Sequence, residues 1–177
     1  MQTSIITRSI AAAVLCAAPA LAQHQFGPLG TEIMDGSQNM VTVNLGFNFT
    51  MPGGTVVTSL DVDEHGRLVE VGSDPSDSSE STTEMINNPG ASINVLWDFQ
   101  SYTVDPNATV FFDTDNSSVA TITWVNVNFT AVCTYQVQLF ATGNIVMVYD
   151  SRCPADDGII GLCPGNGAIL PAQTNLD

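Results

Sequence analysis

The chain contains no lysine, and its three arginines stand against 18 acidic residues in 177, a formal net charge of −15. Nucleic acid and anionic membrane surfaces both require phosphate neutralisation by Lys or Arg. Such partners are excluded. Histidine is scarce too, with His24 close to the N-terminus and His65 alone in the body of the chain. No G-x-S-x-G elbow is present, so a serine triad would have to rest on His65 and some distant serine. Carboxylate pairs arise by chance in so acidic a chain and single out no glycosidase site. The expectation is a protein that is not an enzyme. No CxxC pair or histidine neighbouring a cysteine supports a thiolate metal site. The longest apolar run, Ile10 to Leu21, falls short of the roughly 20 residues that span a bilayer. Membrane insertion is not expected.

That run has the make-up of a secretory signal. Arg8 precedes it, and Ala20-Leu21-Ala22 fits the small-x-small cleavage rule. Cleavage there makes residues 1–22 a signal peptide and Gln23 the mature N-terminus. Leu15 before Cys16 is too bulky for a lipoprotein signal. Removing 22 of 177 residues leaves 155, enough for one domain with a sizeable core, and loss of Arg8 leaves a net charge of 2 − 18 = −16. The expected destination is the extracellular space or cell surface, where this acidity keeps the chain soluble.

Short strand patterns fill the rest. Val41, Val43, Leu45, Phe47 and Phe49 alternate with polar residues, and Val56 to Asp63 forms a second strand after the turn at Pro52-Gly53-Gly54. His65-Gly66 turns into Arg67 to Val71. The Ser- and Asp-rich stretch from Gly72 to Glu84 is too polar for core and reads as a loop, with one or two helical turns possible between Ser79 and Asn87 before Asn88-Pro89-Gly90. Ile93, Val95, Trp97 and Phe99 fall in phase. Thr109 to Asp113, Val119 to Val127 and Ile159 to Cys163 supply further strands. About nine short strands with at most one short helix predict an all-β antiparallel β-sandwich.

The sharpest local signal is Cys133 to Cys153. Cys133, Tyr135, Val137 and Leu139 alternate with Thr134, Gln136 and Gln138, a half-buried strand; Ala141-Thr142-Gly143-Asn144 turns the chain; and Asn144 to Tyr149 returns. Counting from the turn brings Cys133 opposite Cys153. Three mature cysteines allow three pairings, and Cys153 with Cys163 would close a smaller loop, so Cys163 is either unpaired or an alternative partner.

Two clusters have chemical potential. Asp61, Asp63 and Glu64 offer hard oxygens that would suit calcium if they converged at a strand end, although strand alternation puts Asp61 and Asp63 on the outward face and Glu64-His65-Gly66 is good turn chemistry. Asp113-Thr114-Asp115-Asn116 reads as a turn whose side chains bond their own backbone. Trp97, Trp124 and Tyr135 could form a carbohydrate platform, but each is in phase with apolar neighbours, which favours core.

Leu96-Trp97-Asp98, Val110-Phe111-Phe112, Thr121 to Val127, Thr134 to Leu139 and then Gly161 to Gly167 arrive in an order that resembles the nidogen-like domain family of secreted and matrix-associated proteins. Two positions depart from it. Family members often carry a further acidic residue near Asp98, and Cys163 stands where a small residue is common. The resemblance implies a nidogen-like β-sandwich over residues 40–169, between an N-terminal lead (23–39) and a C-terminal tail (170–177). It also implies a secreted, non-enzymatic interaction or structural module for adhesion or matrix, whose partner is an extracellular protein or glycan. The alternative is a calcium-dependent carbohydrate-binding module. Self-association through sheet edges or the spare cysteine is a further expectation.

Overall fold

A computed structural model describes residues 25–35, 39–73, 81–98, 107–128, 132–153 and 158–169. Ten strands and one short helix follow one another: β1 (Thr31–Met34), β2 (Met40–Thr50), β3 (Val56–Asp63), β4 (Arg67–Glu70), α1 (Thr82–Asn87), β5 (Ser92–Trp97), β6 (Thr109–Thr114), β7 (Val119–Asn128), β8 (Val132–Phe140), β9 (Ile145–Tyr149) and β10 (Ile159–Cys163). The first sheet has the order β1-β6-β7-β8-β9 and the second β10-β5-β4-β3-β2. Every pairing is antiparallel. This is the all-β sandwich that the strand pattern predicts, with ten strands in place of nine. The additional one, β1, lies in the stretch read as a lead. Its four residues, Thr-Glu-Ile-Met, are too few to display an alternation, and only pairing with β6 makes them a strand.

The main core lies between the sheets. Val43, Leu45, Phe47 and Phe49 of β2, Leu60 and Val62 of β3, Ile93 and Val95 of β5 meet Val110, Ile122, Trp124, Tyr135, Val137 and Leu139 from the first sheet. Trp124 stacks on Tyr135 with ring centroids 5.1 Å apart and an 18° interplanar angle, and its indole N–H donates to the Asp63 carbonyl at 3.1 Å. One aromatic residue therefore fills the core and ties the two sheets together, since a buried indole N–H needs an acceptor.

At β5 the in-phase expectation for Trp97 fails. Val95 N and Leu96 N both donate to Gly66 O, at 2.9 and 3.3 Å, so two residues of β5 oppose one of the β3–β4 turn. This β-bulge inserts a residue and reverses the alternation beyond it. Val95 and Leu96 both enter the main core, while Trp97 packs on the opposite side of the sheet with Met85 and Cys163. Gly66 is required at this point: its φ is +91°, and a Cβ there would lie 2.3 Å from Leu96 O and 2.6 Å from Tyr135 Oη.

The second, smaller core lies under α1. Ser81 caps the helix by accepting from Glu84 N, and Asn88 ends it. The helix falls within the stretch where one or two turns are expected, and its Met85 is buried against Trp97 and Cys163. The outer face of the second sheet is thus covered over Trp97 of β5 and Cys163 of β10, while Thr42, Asn44, Asn48 and Thr50 of β2 stay exposed.

Candidate functional site: a buried charge cluster on the second sheet

This cover changes the surroundings of the polar residues beside it. In register across the sheet lie Asp61, Val69, Ser92 and Cys163, and beside them Arg67, Asn94 and Gly161. Asp61 and Asp63 do point away from the main core, as alternation requires. The expectation that they face solvent is corrected, because they are only 3% and 1% exposed. Thr42 and Gly72 close on Asp61, and the His65 turn and Arg67 on Asp63, contacts that a strand-by-strand reading does not show.

Buried carboxylates have to be bonded, and these are. Asp61 accepts from Thr42 Oγ1 at 2.5 Å and from Gly72 N at 2.7 Å, holding β2 to the segment after β4. Asp63 accepts from His65 N at 2.5 Å and from Arg67 Nη2 at 3.1 Å. Arg67, 1% exposed, lies with Cζ 4.1 Å from the centroid of the Trp97 ring and has Glu84 Oε1 3.7 Å from Nη1. Its planar cation is therefore bracketed by a buried carboxylate, an aromatic face and a helix side chain, an arrangement suited to guanidinium and not to ammonium.

Glu64 and His65 form the turn beside this cluster. Glu64 Oε1 is 3.3 Å from His65 Nε2, and both side chains are largely buried. Burial, with the Asp63 charge adding to it, pushes the Glu64 carboxyl up to about 7. The turn is held on three sides: Glu64 N donates to Asn39 O, Asp98 N to His65 O, and Trp124 to Asp63 O.

Asp61, Asp63 and Glu64 are thus close in sequence but carry different loads. Among the described residues, the group of three or more His, Cys, Asp and Glu whose ligand atoms gather within 4.8 Å is Cys133, Asp150 and Cys153. Two of these are already joined, since Cys133 and Cys153 form the disulfide with Cα atoms 4.8 Å apart. The hairpin pairing is realised, and Cys163 is free and buried, with Gly165 N 3.3 Å from its sulfur. Asp115 behaves as the turn reading requires: it accepts from the backbone of Ser117, Ser118 and Val119 and from the Ser118 hydroxyl. Those bonds hold its carboxyl well below the ordinary range. Trp97, Trp124 and Tyr135 are fully buried, so they form no exposed platform.

The alternation of β8 also misleads. Gln136 and Gln138 sit on the outer face of the first sheet as predicted, yet both are buried, because residues 25–28 cross over them. No pattern in residues 25–28 announces that contact.

The described residues thus form a disulfide-stapled sandwich of ten antiparallel strands, with Asp61, Asp63 and Arg67 buried on its second sheet. The family described as NIDO related matches residues 20–174, and the chain belongs to it. No curated protein and no solved structure matches the chain. No helix among the described residues is long and apolar enough to cross a membrane.

Proposed function

We propose that the chain works outside the cell as a non-enzymatic module that binds an extracellular protein or glycan, in adhesion or as part of a matrix. The observation that carries this reading is the fate of the side chains best suited to chemistry. Asp61, Asp63, His65 and Arg67 are buried and bonded to one another, to backbone or to an aromatic face. Groups committed in this way serve the architecture, and they leave recognition to the surface. Membership of the NIDO-related family supports the same reading, as does a net charge of −15 that favours solubility.

The test is capture from the extracellular material around the producing cells by the immobilised chain. The reading expects a defined protein or glycan that is retained saturably, displaced by excess free chain and recovered chemically unchanged. Hydrolysis of an ester, glycan or peptide, lost on a single substitution that leaves the fold intact, would overturn it.

A further inference from the structure

Four strands are edges, β1 and β9 of the first sheet and β10 and β2 of the second. An edge offers unpaired main-chain groups to any extended chain, and folds blunt it with bulges, charges or proline. Three of these edges are interrupted. The register shifts between Glu32 and Met34 in β1, between Ile159 and Gly161 in β10 and between Asn44 and Phe49 in β2. β9 differs, running in unbroken register along β8 with a sequence, Ile-Val-Met-Val-Tyr, that contains no charge and no proline.

The β8–β9 ladder fixes which groups of β9 are free. Phe140 N donates to Asn144 O at 3.0 Å at one end of the hairpin, and Asp150 N to Thr134 O at 2.9 Å at the other. Alternate residues between them bond β8, so Val146 and Val148 direct their main chain to β8 while Ile145, Met147 and Tyr149 turn theirs away. Those three make no main-chain hydrogen bond to another described residue. The edge is held firmly, because Tyr149 Oη donates to Val95 O of the second sheet at 2.5 Å. Beside it the sandwich is open. β9 and β10 end the two sheets on one side, as β1 and β2 do on the other. Leu162 is in register with Ile93 of the main core, and Ile160 alternates with Ile159, which packs on the second core, so Leu162 and Ile160 both face the first sheet. They are nevertheless 47% and 48% exposed.

We propose that β9 is the docking edge for a second copy of the chain, whose own β9 pairs with it antiparallel about a two-fold axis through Met147, so that the two five-stranded first sheets become one. A row of free N–H and C=O groups calls for an extended main chain and not for a glycan. The second copy supplies it in matching phase. Pairing about Met147 sets Met147 opposite Met147 and Ile145 opposite Tyr149, so every free group of one strand meets a free group of the other. The same register sets Val146 against Val148, and beyond the strand Asp150 against Asn144. Like charges directly opposite would be repulsive, and in this pairing no charge stands opposite another, which lets two chains of formal charge −15 approach here. The exposed Ile160 and Leu162 of each copy lie on the same side and can be covered in the process.

Sedimentation of residues 23–177 tests this. Wild type should form a concentration-dependent dimer. Met147→Pro removes an N–H that faces away from β8, the kind of position where an edge strand tolerates proline, and should weaken the dimer by at least about tenfold, the loss of one or more hydrogen bonds. A wild type that stays monomeric to its solubility limit, or a dimer that Met147→Pro leaves intact, overturns the proposal. Should the proline variant misfold, cysteine placement reads the register directly. Met147→Cys lies on the axis, about 5.5 Å between Cα atoms from the same position in the second copy and within disulfide reach, and should give a covalent dimer on a non-reducing gel. Ile145→Cys lies about 14 Å from its counterpart at about 3.4 Å per residue, and should not. No cross-link through Met147→Cys, or equal cross-linking by both variants, overturns the proposal. A monomer that binds a synthetic peptide of residues 144–150 would assign the edge to a strand of another protein, and so overturn the second copy as occupant. Each of these failures leaves capture of an extracellular partner untouched, so the two proposals are separable.

Discussion

Arg67 lies over Trp97, with Cζ 4.1 Å from the ring centroid, while its Nη2 reaches Asp63 Oδ2 at 3.1 Å. This contact joins β4, the end of β5 and the β3–β4 turn on a face that a two-sheet sandwich would otherwise leave to solvent. Removing the cation strands a buried carboxylate. Arg67→Ala is expected to lower stability by about 3–5 kcal/mol, the usual cost of breaking a buried pair from one side. The double variant Asp63→Asn with Arg67→Met should recover much of that loss. Urea unfolding of the three chains measures both effects.

Glu64 makes stability depend on pH. Its carboxyl titrates at about 7 in the folded chain against an ordinary 4.5. The folded state therefore holds a proton that the unfolded chain has released between those values. This contribution is fully present below about pH 4.5 and is lost as pH rises through about 7. Because the side chain retains some access to water, the expected size is on the order of 1 kcal/mol. Relative to Glu64→Gln, wild type should lose stability between pH 5 and pH 8, read as the difference between the two unfolding midpoints at each pH.

The thiols offer a direct count. With Cys133 bonded to Cys153 and Cys163 buried and free, a chain of residues 23–177, which lacks Cys16, should take no alkylating label when native. Denatured without reductant it should take one, and denatured with reductant three. Cys133→Ala with Cys153→Ala should cost about 3 kcal/mol, the loop-closure value for a 20-residue separation.

Two glycines of similar backbone geometry should respond differently to the same substitution. Gly66 and Gly143 have φ of +91° and +87°, but a Cβ at Gly66 meets Leu96 O at 2.3 Å and one at Gly143 meets nothing within 4 Å. Gly143→Ala should cost about 1–2 kcal/mol, the left-handed penalty alone. Gly66→Ala should exceed it clearly, because backbone has to move as well. Thermal unfolding of the pair separates steric contact from dihedral strain.

Much of the fold was legible because it is local. The β8–β9 hairpin, its disulfide, the strands from β2 onwards and the short helix all announce themselves by alternation, turn residues and caps. What escaped depends on contacts between distant segments. β1 has no pattern without β6 beside it. The bulge at Val95 and Leu96 arises from a shared acceptor in another turn, Gly66 O, and only that bulge sends Trp97 to the second core. Asp61, Asp63 and Gln136 stand where period-2 reasoning puts them, yet they are buried, since periodicity tells which side of a sheet a residue takes and not what lies on top of it. For the same reason Asp61, Asp63 and Glu64 look like one cluster in sequence and prove to have separate partners.

The central claim is that the buried charges brace the module and do not perform chemistry, and one paired measurement tests it most directly. Wild type and Asp63→Asn, the latter confirmed folded, are assayed against ester, glycan and peptide substrates while their unfolding midpoints are recorded. The account predicts no turnover above buffer from either chain and a lowered midpoint for Asp63→Asn. Turnover by wild type that vanishes in Asp63→Asn with an unchanged midpoint would contradict it.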